Sequence, residues 1–308
     1  MPLEALQPAA RPGALPPAAC TLCPRRCGAN RRVAAGRCHG GGLPLVAHTM
    51  LHHWEEPCLA GTRGSGTVFF GGCPLGCLFC QNHAISHRAG GAPHTAQQLA
   101  ARFLAMQQRG AHNLNLVTAG HYRPWVQRAL ALARAQGFSL PVVWNSGGYE
   151  TTEALDALAA DVDIWLLDLK FHAAALAATL ADAPDYFPVA SAAAKQACRL
   201  AGPPVFGGGG LLRRGVILRL LVLPGHHKDA MALLRFMASE LPRGGFLLSL
   251  MRQYTPPPGL GLPRPLSRRL ASYEYRQVLD EAERLGLATG YTQQAESASA
   301  AYIPPFEV

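Results

Sequence analysis

Cys73, Cys77 and Cys80 form the pattern C-x3-C-x2-C, directly after an apolar run, TVFF (67–70), that reads as a strand. Thiolates are the ligands of iron–sulfur clusters, and a four-iron cluster has four corners. Three local cysteines leave one iron without a protein ligand, free to bind a small molecule. Such an open corner makes a cluster a catalytic centre and not only an electron carrier. The same cysteines also suit three legs of a zinc site, or a structural cluster with a remote fourth cysteine.

A second set, Cys20, Cys23, Cys27 and Cys38, supplies four thiols within nineteen residues. Four thiolates close on zinc or on an auxiliary four-iron cluster, and spacing does not choose between them. A segment this short has little core of its own, so a bound metal would fold it, which favours zinc; a cluster would instead suggest an electron relay. His39 reads as a loop residue beside Cys38. Cys58 and Cys198 have no partner by spacing, and Cys198, in an alanine-rich stretch, reads as buried filler.

Composition fits a reducing cytoplasm. The nine cysteines are grouped locally, without the charged-then-apolar order of a secretory signal, which favours metal ligation over a disulfide framework. No apolar stretch reaches the roughly 18 to 20 residues that span a bilayer, so no membrane partner is expected. The net charge of +9 comes largely from scattered arginines, with no long basic run or aromatic platform. That pattern argues against nucleic acid as the partner.

The chain then alternates. Apolar runs at 67–71, 113–118, 141–146, 162–169, 215–223 and 245–251 read as strands. Helical patterns lie near 95–109, 123–136, 151–160, 173–200 (broken by Pro184 and Pro188), 227–240 and 267–285. Thr95 is the expected N-cap of the first, and Gly207–Gly210 reads as a mobile loop. Six strand–helix repeats predict an α/β fold, an incomplete (β/α)6 barrel of parallel strands with helices outside. The expected organisation is a disordered leader (1–19), a cysteine-rich segment (20–60), the partial barrel (61–290) and a tail (291–308).

In such a fold, polar residues just past the strands face the ligand. These are Thr118 to His121, Asn145 to Glu150, Asp168 with Lys170, Arg219, and Arg252 to Tyr254. Asp168 and Lys170 are two apart and share one face of their strand. Glu55 and Glu56 precede the first barrel strand and read as mouth-lining or turn-capping residues.

The C-x3-C-x2-C spacing, with Phe79 just before the third cysteine, resembles the signature of the radical S-adenosylmethionine enzymes. The strand ends DLK (168–170) and R-x4-PG (219–225) resemble those of pyruvate formate-lyase activating enzymes. The chain from Cys20 to about Gly286 is more similar to an uncharacterised branch of relatives of those activases. The segments that carry this are CTLCPRRCGAN (20–30), GTRGSGT (61–67), CQN (80–82), GAHNLN (110–115), NSGGY (145–149), APDY (183–186) and LVLPG (221–225).

The resemblance implies that Cys73, Cys77 and Cys80 hold a [4Fe-4S] cluster whose open iron chelates S-adenosylmethionine. Gly147, Gly148, Asp168, Lys170 and Arg219 become candidates for the cofactor pocket. Lys170 and Arg219 would pair its carboxylate, Asp168 or Ser146 would take its ammonium or ribose, and the glycines would admit close backbone approach. Three positions depart from the activases or their closer relatives: Asn145 replaces an Asp, Gln253-Tyr254 a Tyr-His pair, and Thr118-Ala-Gly a Thr-Pro-Thr.

The expected activity is hydrogen abstraction by a 5′-deoxyadenosyl radical. By resemblance the substrate is a glycine of a partner glycyl-radical enzyme, and the electron donor is a flavodoxin or ferredoxin. Two rival classes stand beside it: the same chemistry on a small molecule, peptide or RNA, and a non-enzymatic metal-bearing interaction or electron-transfer protein.

Overall fold

The computed structural model describes residues 16–287, 290–294 and Ser297. Most of the expected leader and tail lies outside these residues. The elements in chain order are β1 (Leu45–His52), α1 (Pro57–Ala60), β2 (Ser65–Phe70), α2 (His83–Ser86), β3 (Ala92–Pro93), α3 (Ala96–Gln108) and β4 (Leu114–Val117). Next come α4 (Arg123–Arg134), β5 (Val142–Ser146), α5 (Thr152–Leu158), β6 (Ile164–Asp168), α6 (Ala174–Ala181) and α7 (Tyr186–Ala201). The chain continues through β7 (Val205–Phe206), β8 (Leu212–Leu221), α8 (His227–Glu240), β9 (Leu247–Met251), α9 (Ser272–Arg284) and β10 (Tyr291–Thr292).

This is a mixed α/β fold around a mostly parallel sheet. The strand order is β10-β9-β8-β6-β5-β4-β2-β1-β3, so the parallel strands follow one another without the reversal of a doubly wound sheet. Each step between parallel neighbours passes through a helix, as parallel pairing requires a crossover. The helices bury one face of the sheet with alternate strand residues such as Leu116, Trp144, Trp165, Leu167 and Leu218. A smaller apolar cluster joins Val143, Ile164, Leu166 and Ile217, on the alternate positions, to Cys58 and Leu59 of α1. This second face also carries buried polar residues, Asn145 and Ser249 among them. Among the described residues no helix is long and apolar enough to cross a membrane.

Several local expectations change. Leu45–His52, which falls in the cysteine-rich segment, is a strand antiparallel to β2. Its histidines and half-buried positions mask the alternation that would mark a strand. Tyr291–Thr292, which falls in the tail, pairs with β9 in the sheet. The helix expected at 173–200 breaks after Ala181, where Asp182 turns left-handed at φ 47°. Pro188 does not break it again, because it sits in the first turn of α7, where a missing N–H costs little. Thr95 does cap α3, in a reciprocal capping box with Gln98. Gly208–Gly210 forms a short 3-10 turn.

The segment around α1 crosses the second face of the sheet. Asn113 Nδ2 donates to Leu59 O at 2.8 Å, while Ser65 Oγ donates to Asn113 Oδ1 at 2.6 Å. Cys58 is hydrogen-bonded with Tyr291 of β10, and Ser249 of β9 with Glu56. The segment thereby bridges the two flanks of the parallel sheet. Asn113→Ala leaves Leu59 O and Ser65 Oγ without this partner in a dry site, and we expect a loss of about 2 kcal/mol in urea denaturation. A midpoint equal to that of the parent would show that the amide does not hold the segment.

Candidate functional site

A cavity of about 220 Å³ opens at the C-terminal ends of the parallel strands. Cys73, Cys77 and Cys80 line it together with Gly147, Asp168, Lys170 and Arg219. The cysteine loop starts just beyond Phe70, the last residue of β2, so the strand delivers it to this rim. Two glycines make the tight exit possible. A Cβ on Gly71 would lie 1.9 Å from Gly90 O, and one on Gly72 would lie 2.0 Å from Cys38 O.

The three thiols are near enough to feel one another's charge. Burial pushes Cys73 up to about 11, with Cys80 adding to the shift. Burial raises Cys77 further, against the pull of Lys170. Leu75 N–H donates to Cys73 Sγ at 3.4 Å. Among the described residues no three His, Cys, Asp or Glu side chains gather closely enough to share one metal ion. A four-iron cluster makes a different demand, since each thiolate takes its own corner. Three thiols facing one cavity, with a lysine ammonium beside them and an amide on a sulfur, fit such a cluster with one corner open.

Beside the thiols lies a largely buried ion network. Asp168 accepts from Lys170 Nζ at 2.6 Å through one oxygen and from Arg219 Nε at 2.7 Å through the other. Arg219 also donates to Asn145 Oδ1 at 2.7 Å and meets Glu55 at 3.4 Å. Burial alone would raise the Asp168 carboxyl, but Arg219 and then Lys170 outweigh it and hold it below its ordinary value. Burial likewise opposes the charge on Lys170, yet Asp168 and then Cys77 raise it. Glu56 is pushed to about 7 by burial, opposed by Arg219.

The structure sorts the candidates. Gly147, Asp168, Lys170 and Arg219 come together on the cavity wall. Gly148 serves the backbone instead: at φ +77° its Cβ would sit 2.2 Å from Asp168 O. Ser146 lines the cavity as well, with its hydroxyl donating to Glu150 at 2.8 Å and accepting from Gly148 N–H at 3.3 Å. His121 lies under the cysteine loop with Nε2 3.0 Å from Gly71 O, and burial drops it to about 3, leaving it neutral. Arg252 bonds Ser272 and lies over the Tyr275 ring. Tyr254 is buried and donates to Leu266 O.

Of the two glutamates before β2, Glu55 lines the cavity, and the segment that crosses the sheet face brings it there. Asn145 lines it too, and its amide both accepts from Arg219 and donates to Glu55 at 3.4 Å. His52, Phe69 and Met251 are wall residues that sequence reasoning misses. Phe69 and Met251 look like ordinary strand interior, and His52 sits at the end of a strand that no alternation announces.

Cys20, Cys23 and Cys38 are buried and Cys27 is exposed, and each is in electrostatic range of at least one other. The N–H two residues on bonds the sulfur of Cys23, Cys27 and Cys38, from Arg25, Ala29 and Gly40. The segment is clamped to the cysteine loop. Arg25 Nε donates to Pro74 O at 2.9 Å, and its Nη2 to Ala181 O at 2.8 Å. Arg31, fully buried, donates to Gly41 O and His121 O and stacks on Tyr122 and Trp125.

No protein-family model matches the chain. The uncharacterized protein MJ0674 of Methanocaldococcus jannaschii is 28% identical over 276 residues, which is 87% of this chain and 75% of that relative. Among solved structures, Streptococcus suis SuiB bound to S-adenosylmethionine matches with a TM-score of 0.48 and 12% identity, over 72% of this chain and 48% of SuiB. A second structure of SuiB gives a TM-score of 0.48, with 47% of SuiB covered. The chain spans about half the length of SuiB.

Two predictions test the site. A Cβ at position 148 would collide with the β6 backbone and hold a left-handed φ, so Gly148→Ala should cost on the order of 3 kcal/mol in chemical denaturation. Glu56 binds its proton more tightly folded than unfolded, so its contribution to stability is full below its unfolded value and is lost as pH rises to about 7. Glu56→Gln should flatten the fall in stability across that window. An unchanged slope would mean that another group carries it.

Proposed function

We propose that this chain is a radical S-adenosylmethionine enzyme, its parallel sheet curled into an incomplete (β/α)6 barrel. The observation that carries the reading is the gathering of Cys73, Cys77 and Cys80 with Lys170, Asp168 and Arg219 around one cavity at the strand C-termini. Three thiols suit a [4Fe-4S] cluster with one free corner, and the neighbouring charges suit a zwitterionic cofactor. When bound, cluster and S-adenosylmethionine would supply one-electron cleavage to a 5′-deoxyadenosyl radical.

The chain's own residues then divide the work. Cys73, Cys77 and Cys80 hold the cluster. Lys170 has donors beyond its single bond to Asp168, and these can meet a carboxylate. Asp168 keeps Lys170 and Arg219 charged and aimed. Gly147 leaves room on the wall, since a Cβ there would lie 2.9 Å from Leu75 and 3.3 Å from Lys170. Phe69, Phe79 and Leu75 supply an apolar lining that limits water around a radical.

The substrate we favour is a glycine of a partner protein, as in glycyl-radical activation, and this rests on the strand-end resemblance alone. A cytoplasmic setting follows from the oxygen sensitivity of such a cluster and the free cysteines. Electron paramagnetic resonance of the anaerobically loaded, reduced chain tests the reading. A four-iron signal that shifts on adding S-adenosylmethionine, with release of methionine and 5′-deoxyadenosine, is expected. Cys73→Ala/Cys77→Ala/Cys80→Ala should lower that release at least ~1000-fold. A signal indifferent to S-adenosylmethionine would sink the assignment.

A further inference from the structure

We propose that the Cys20/Cys23/Cys27/Cys38 centre is an iron–sulfur port through which an acidic one-electron carrier protein, docked around Cys27, reduces the site at Cys73, Cys77 and Cys80. The inference rests on the preceding reading and concerns how that site receives its electron. Three observations carry it: where the second centre sits, what surrounds its exposed member, and which face of the catalytic loop stays open.

The segments that carry the two cysteine sets touch. Cys38 O packs against Gly72, the residue before Cys73, so closely that a single Cβ would not fit. Arg25, between Cys23 and Cys27, holds the carbonyl of Pro74 inside the catalytic loop. The N–H bond from two residues on, seen at Cys23, Cys27 and Cys38, recurs at Cys73 through Leu75. Amides aimed at sulfur favour thiolates that ligate metal and tune a cluster's potential. The same local turn thus prepares ligands in both sets.

The surface around the second centre is basic. Between Cys20 and His53 there are five arginines and no Asp or Glu. Arg31 is buried and Arg25 is spent on carbonyls, but Arg26 and Arg32 are exposed in the same segment as exposed Cys27. Arg37 is exposed and pairs with Asp182. Val33, at 81% exposure, stands in that segment as an apolar contact point. Asp182 is already paired with Arg37 and Glu153 lies in range of Arg26, so the rim is net positive through Arg26 and Arg32, and with its apolar tip it suits the steered, transient docking of an acidic partner.

The alternative route, through the mouth, is the one that cofactor and substrate must occupy. A separate groove of about 380 Å³ exposes the outer face of the loop. Arg37 and His39 line it together with Cys73, Pro74, Leu75 and Gly76. The segment that carries the second centre thus borders the catalytic loop from outside the cavity, through Arg37 and His39 on either side of Cys38. One electron leaves the reduced carrier, passes over the second centre and ends on the catalytic one. The carrier is oxidised by one electron, and no proton or bond is exchanged.

The test uses the full chain, loaded anaerobically with iron and sulfide. In the Cys73→Ala/Cys77→Ala/Cys80→Ala variant only the second centre remains. About four irons per chain and a one-electron reducible signal are expected; zinc in their place overturns the port. Stopped-flow reduction then compares dithionite with a reduced ferredoxin in the parent and in Arg26→Glu/Arg32→Glu. The charge reversal should slow the ferredoxin reaction about tenfold at low salt and leave dithionite unchanged. An unchanged ferredoxin rate overturns the inference. If S-adenosylmethionine still shifts the parent's cluster signal, the port alone has failed; if it does not, the enzyme reading has failed.

Discussion

The Asp168 carboxylate, shared between Lys170 and Arg219, is the interaction on which the site depends. Two cations side by side on one wall repel each other, and burial penalises both. A single carboxylate with one oxygen for each settles the pair at 2.6 Å and 2.7 Å. From there the constraint spreads across several elements. Arg219, on β8, fixes Asn145 on β5 and draws in Glu55 from the segment that crosses the sheet. Tyr186, on α7, bonds the carbonyls of Gly147 and Asp168, which keeps the β5 and β6 ends in register. The wall beside the cysteines is thus one connected structure, and none of its charges is free to move alone.

The cysteine loop is held from the other side. His121 and Arg31 are both buried and both serve backbone carbonyls, at Gly71, Gly41 and His121 itself. An uncharged imidazole and a guanidinium stacked on aromatic rings are costly to bury, and their partners offset that cost only if the cysteine-rich segment is in place. The segment is therefore part of the scaffold of the cysteine loop and cannot be regarded as an appendage.

Much of this was legible in the chain. The parallel strands from β2 to β9 fall within a few residues of the apolar runs, because strands buried on both faces need continuous apolar residues. The cavity cysteines and the polar strand ends followed from the same pattern. What stayed hidden was non-local. β1 reads as polar because its histidines interrupt the alternation, and only pairing with β2 makes it a strand. Its last residue, His52, therefore reaches the cavity unannounced, and Glu55 is decided between lining and capping only by the chain crossing that follows. The two adjacent glycines show the limit most clearly. Gly147 and Gly148 look equivalent in sequence, yet the first faces the cavity and the second yields its space to the Asp168 carbonyl.

The segment carrying α1, tied to Asn113 on one flank and to Tyr291 on the other, also makes a floor. Its Cys58 and Leu59 join one apolar cluster with Val143 and Leu166, two residues before Asn145 and Asp168 of the cavity wall. The cavity is thus a cup closed below by a stretch of chain that precedes every parallel strand.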